Sequence, residues 1–140
     1  MRFTEREMTI AVEALASATF DALPRLLRSR AGASSWDELG KGARYPHLVA
    51  AGELVLPGLT ELPERPTVGA TPQFSADEYA QAAAVALERR LEAARPGSWA
   101  SMSARKQQKA VAAAGEALRH AVEAMPVRQD PDAIIVPDHL

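Results

Sequence analysis

Phe3-Thr4-Glu5-Arg6-Glu7 and Phe74-Ser75-Ala76-Asp77-Glu78 are the two stretches on which the fold turns. In each, a Ser or Thr side chain is placed to accept from an amide of the first helical turn. A glutamate three residues on reaches back to the cap's own N–H, and the preceding aromatic can staple onto the turn. Both therefore open helices. From the first, Met8, Ala11, Val12, Leu15, Ala18, Ala22 and Leu23 recur at spacings of three and four, one buried stripe, until Pro24 kinks or restarts the helix and Arg25 to Arg30 carry it to a basic end. From the second, Tyr79, Ala83, Leu87 and Leu91 run to about Ala94, where Pro96 and Gly97 stop it.

Working outward, the echo continues. Ser35-Trp36 matches Ser98-Trp99 and Ala51-Gly52-Glu53 matches Ala114-Gly115-Glu116, both at an offset of 63 residues, with Leu39 facing Met102. The helix openings match at 71, so a gap of eight falls near Pro24. A fixed spacing of this kind points to a repeated supersecondary unit. Glycine costs about 1 kcal/mol against alanine inside a helix, so Gly52 and Gly115 at matched places predict a point where the two repeats cross closely. Both tryptophans are expected in the core.

Between these landmarks, Ser35 and Glu38 predict a capped short helix stopped by Gly40 and Gly42, then a further helix from Tyr45 to about Leu54. Residues Val55 to Pro72 hold Pro57, Gly58, Pro63, Pro66 and Gly69, which predicts a loop, wrapped onto the core through Leu56, Leu59, Leu62 and Val68. Ser98-Trp99 begins the last helix, with its stripe at Val111, Leu118, Val122 and Met125, ending before Pro126.

Composition agrees with helices. Of 140 residues, 47% are hydrophobic but only 5% aromatic, and 29 are alanine, the best helix former and a poor strand residue. The expected fold is a single all-α domain of four principal helices plus short segments. Its pseudo-repeats cover about 1–56 and 74–126, joined by a proline-rich connection at about 57–73 and followed by a tail, 127–140.

The same numbers exclude chemistry. No cysteine means no disulfide scaffold, thiol nucleophile or cysteine-bound zinc. A net charge of −2 is unlike the usual nucleic-acid binder. Glu5, Glu7 and Glu13 interrupt any leader-like apolar run, and no stretch approaches the length a membrane helix needs, so a cytoplasmic protein without membrane contact is expected. Phosphate-loop, dinucleotide, nucleophile-elbow and zinc-protease motifs are all missing from the sequence.

Three weaker constellations remain. Glu116, His120 and Glu123 share one helix face at ligand-like spacing, yet lack the paired Glu-x-x-His pattern of bundle metal sites, so a solvated charged face accounts for them as well. Arg89, Arg90, Arg95, Arg105, Lys106 and Lys109 form a basic patch beside Trp99, suited to nucleic acid or an acidic partner. In the tail, Ile134, Ile135 and Val136 are an apolar triplet suited to burial against this or another subunit, while Asp130, Asp132, Asp138 and His139 are turn residues before they are cation ligands. The residues thus point first to a non-catalytic, self-associating interaction or adaptor protein, with Gly52, Gly115 and the tail triplet at its interfaces. A nucleic-acid-associated regulator comes second and a metal-dependent enzyme third, and no cofactor is expected.

Overall fold

A computed structural model describes residues 1–129, and among them every regular element is helical. In chain order these are α1 (Glu5–Asp21), α2 (Arg25–Arg30), a 3-10 turn (Trp36–Glu38), α3 (Lys41–Glu61), α4 (Ala76–Ala94), α5 (Ser98–Ser101) and α6 (Ala104–Glu123). Both capping boxes form: Glu7 N donates to Thr4 Oγ1 at 3.1 Å and Thr4 N to Glu7 Oε1 at 2.9 Å, and Ser75 and Glu78 repeat this at 3.1 and 2.8 Å.

Three local expectations need correction. Helix α3 runs unbroken through Pro46 and Pro57, where a loop was expected from Val55. A proline inside a helix costs about 3 kcal/mol, but the turn that Pro57 occupies carries Val55 and Leu59, both fully buried, and burial of each stabilises by about 1.5–3 kcal/mol. Tertiary packing outweighs local propensity there. The remaining connection is anchored by buried Leu62 and Pro72, while Leu56 and Val68 are exposed. Secondly, Ser98 starts only the single turn of α5; the last long helix begins at Ala104, capped by Ser103, whose hydroxyl accepts from Lys106 N. Thirdly, Ser35 makes no side-chain cap; Glu38 instead accepts from the amide and hydroxyl of Ser34 at 3.0 and 2.7 Å, bonds that hold its carboxyl below the usual range.

Helix α1 packs on α3 and α4 packs on α6; the two pairs join through α3 against α4 and α1 against α6. The core between them is Phe20, Val55, Leu59, Leu118 and Val122, filled out by Ala11, Ala82, Ala83, Ala86 and Ala121. Alanine at these contacts lets helix axes approach closely, which is why so few large side chains suffice.

Matched positions make matched bonds. Trp36 N donates to Asp21 Oδ1 (2.8 Å) and Trp99 N to Glu92 Oε1 (3.1 Å). The Trp36 carbonyl accepts from Arg44 Nη2 (3.0 Å) and the Trp99 carbonyl from Gln107 Nε2 (2.7 Å). Arg128 lies 5.6 Å from the Phe3 ring centroid, pairs with Glu7 at 3.1 Å and donates to the Arg2 carbonyl at 2.9 Å. Arg65, 63 residues earlier, lies 5.1 Å from the Phe74 centroid, pairs with Glu78 at 2.6 Å and donates to the Gln73 carbonyl at 2.9 Å. Each arginine thus leaves the last helix of one half and clamps the first helix of the other. Helix α2 falls within the eight residues that break the register, and it has no counterpart between α4 and α5.

The tryptophans are not equally buried. Trp36 sits in the core against Phe20 and His47, at centroid distances of 6.2 Å each, whereas Trp99 is half-buried. The positions matching Phe20 and His47 are Leu91 and Ala110, so the second half has no aromatic pocket to receive it.

Candidate functional site: an apolar groove between α1 and α3

Gly115 lies against the backbone of α4: a Cβ built there meets Ala80 Cα at 3.3 Å and Ala80 N at 3.4 Å. A Cβ at Gly52 meets only the side-chain ends of Leu56, at 3.8 Å, and Val12, at 4.0 Å. The close approach predicted at both glycines therefore exists at one of them, and it joins two helices of the same half instead of joining the halves. The reason is in the facing residues. At Gly115 the facing residue is Ala80, whose backbone comes within contact, whereas at Gly52 the facing α1 atom belongs to the larger side chain of Val12, which lies between the two backbones.

Beside Gly52 lies a shallow, widely open apolar groove of about 560 Å³, lined mainly along α3 by Tyr45, Leu48, Val49, Gly52 and Leu56, with Val12 of α1 at its edge. It continues over Met8 and Thr9 into a second hollow whose rim carries Glu5 and Glu13. Tyr45, Val49 and Leu56 are 68%, 42% and 45% exposed. Clustered exposed apolar side chains of this kind mark an interaction surface where scattered ones do not. At the matching places of the second half stand Gln108, Ala112 and Arg119. The α1–α3 side carries a sticky face; the α4–α6 side is small and polar at these places.

A second element without a covering partner among the described residues is α2, in which no residue is buried. Leu26 and Leu27 are 65% and 44% exposed, between Arg25 and Arg28. Nothing in the hydrophobic core depends on either leucine.

The other candidates are placed as follows. Glu116 and Glu123 both bind Arg119, at 2.6 and 3.4 Å, on the exposed side of α6, with His120 beside them. Arg119 fills the space between the carboxylates, and among the described residues no three His, Asp or Glu side chains gather where they could share an ion. In the basic patch, Arg89 pairs with Glu61 at 2.8 Å and Arg90 approaches Glu53 at 3.7 Å, both bridging α4 to α3, so two of the six charges are committed to holding the halves together. Arg95, Arg105, Lys106 and Lys109 are exposed. Ile134, Ile135 and Val136, with Asp130, Asp132, Asp138 and His139, lie outside the described residues.

Titration adds one feature. Burial, with the Glu123 and Glu78 carboxylates nearby, pushes the Tyr79 hydroxyl up to about 12, against an opposing pull from Arg119. Tyr79 stays neutral at any physiological pH and serves as a packing residue.

Two further signals are present in the sequence. Arg65 and Arg128 share the 63-residue offset, and aligning the halves to their ends brings them together. The groove required comparison of facing positions: Val12 against Ala80 at the two glycines, and Tyr45, Val49 and Leu56 against Gln108, Ala112 and Arg119 for the polarity. Comparison with protein-family models, with curated proteins and with solved structures gives no match. No helix among the described residues is long and apolar enough to cross a membrane.

Proposed function

We propose that this chain is a non-catalytic protein-interaction module, self-associating or adapting one protein to another, and that it binds through the groove between α1 and α3. The observation that carries this is the contrast between the halves: the same helix pair is closed by Gly115 on Ala80 in one and, in the other, is lined with exposed Tyr45, Val49 and Leu56. Exposing these side chains gives the free chain nothing in stability, whereas covering them releases about 25 cal/mol per Å² of apolar area. The groove offers catalysis little, since its lining is almost wholly apolar and, among the described residues, its ionisable groups are rim carboxylates and Tyr45.

We further propose that the two halves are copies of one helical unit related by a pseudo-two-fold axis. The paired tryptophan bonds and the reciprocal Arg65 and Arg128 clamps support this, because each clamp crosses from one half to the other as a two-fold requires. Duplication followed by divergence supplies a route to the contrast between the faces. A cytoplasmic location fits this reading.

The test is Val49→Glu combined with Leu56→Glu. Both side chains are exposed, so the melt of the isolated chain should move by no more than about 0.5 kcal/mol. The complex that the wild type forms in cell extract, read by its size on a gel-filtration column, should be lost. A double variant that elutes with the wild type at the same large size contradicts the proposal.

A further inference from the structure

We infer that the groove's occupant is a second copy of this chain, which inserts the exposed α2 segment Arg25-Leu26-Leu27-Arg28. This rests on the groove being a protein-binding surface, and two independent features carry it further. The first is shape and polarity. Leu26 and Leu27 project from a helix that buries no residue of its own, and they match the apolar lining of the groove along α3 in polarity. The second is charge. The groove's rim carries Glu5 and Glu13, beside the Glu53 that Arg90 already engages, and α2 carries Arg25, Arg28 and Arg30.

Among these arginines, Arg28 donates to the Ser34 carbonyl at 2.6 Å, while Arg25 and Arg30 make no ion pair among the described residues. On the receiving side Glu5 and Glu13 are exposed and also make none among the described residues. Opposite charges flanking an apolar contact steer encounter and fix register. The acidic rim also discriminates against the chain's other apolar segment, because Ile134, Ile135 and Val136 are bracketed by Asp130, Asp132 and Asp138.

The two features also sit together in the duplication. Helix α2 lies within the eight residues the second half lacks, and the second half's corresponding face is closed. Donor and acceptor are thus present in the same half and missing from the other. Because α2 and the groove are different surfaces, a copy that donates α2 can receive one as well; reciprocal exchange closes a dimer, and one-way exchange continues into a chain.

The experiment is mass by light scattering on the full chain and two variants, Leu26→Glu/Leu27→Glu and Val49→Glu, singly and mixed. All three side chains are exposed, so unchanged melts establish that both variants fold. The wild type is expected to self-associate and each variant to weaken this at least about tenfold. Mixing the two variants is expected to restore association, because the α2 variant still offers an intact groove and the groove variant an intact α2.

A mixture that stays monomeric overturns the α2 assignment. An α2 variant that associates as the wild type does, while Val49→Glu fails to, overturns it in favour of groove meeting groove. Loss of association in an Ile134→Glu/Ile135→Glu chain, with the α2 variant behaving as wild type, overturns it in favour of the tail. A wild type that remains monomeric at millimolar concentration overturns the homotypic partner altogether. The groove proposal is judged apart from all of these by the Val49→Glu/Leu56→Glu comparison in extract.

Discussion

Replacing Gly52 and Gly115 by alanine separates packing from helix propensity, since both glycines lie inside long helices and each gains about 1 kcal/mol from propensity alone. At Gly52 the new methyl touches only side-chain ends at 3.8 and 4.0 Å, an ordinary contact distance, so the gain is kept and Gly52→Ala is expected to stabilise by about 0.5–1 kcal/mol. At Gly115 the methyl meets backbone atoms of Ala80 at 3.3 and 3.4 Å. Backbone cannot rotate out of the way, so α4 and α6 must part by a few tenths of an ångström along their shared seam. Overpacking of this sort costs about 1–3 kcal/mol, which cancels or exceeds the propensity gain. The expected gap between the two variants is about 1–3 kcal/mol. For a chain of this size, that separates the melting temperatures by very roughly 3–10 °C. Urea and thermal unfolding followed by circular dichroism measure it, and Gly115→Leu should widen the gap further. If Gly52→Ala and Gly115→Ala stabilise equally, α4 and α6 do not touch at Gly115, and the contrast between the faces is lost.

Three further outcomes follow from the same structure. Arg128→Ala leaves the buried Glu7 carboxylate without its guanidinium and should cost about 2–3 kcal/mol, whereas Arg65→Ala, at the more exposed Glu78, should cost about 1 kcal/mol or less; urea midpoints compare them, and equal losses would count against the difference in burial. Tyr79 binds its proton more tightly folded than unfolded, so its contribution is complete below pH 10 and disappears as pH rises from about 10 through about 12. Tyr79→Phe should remove this loss from the alkaline arm of the stability profile, and an unaltered arm would show the hydroxyl to be solvated. Pro57→Ala restores an N–H inside α3 and relieves the ring's clash with the Glu53 carbonyl, so it should stabilise by about 1 kcal/mol or more; a loss of stability would mean the helix is not strained there.

The long helices were legible because their start signals are local: Thr4 with Glu7 and Ser75 with Glu78 act within one turn of chain, and nothing distant competes with them. Helix α3 was misjudged because the decisive interactions of Val55 and Leu59 are with residues far along the chain. A local rule about proline cannot weigh that burial. Ser98 misled for the opposite reason. Its cap-like appearance was real but served a single turn, because Ser103 offered the better cap five residues later.

The groove lay beyond one-dimensional pattern reading, since Gly52 and Gly115 look alike until the residues facing them, Val12 and Ala80, are set beside each other. The metal reading of Glu116, His120 and Glu123 overlooked Arg119, which sits three and four residues from the two carboxylates and pairs with both. The basic patch suffered similarly, since the Glu61 and Glu53 that engage Arg89 and Arg90 come from a different helix.

The proposal that the α3 face binds protein and the matching α6 face does not can be read from a photo-crosslinking amino acid placed in living cells at Val49 and, separately, at Ala112, the exposed position 63 residues on. Discrete protein adducts from position 49, with none from position 112, are the predicted result. Adducts of equal yield at both positions, or at neither, would contradict it.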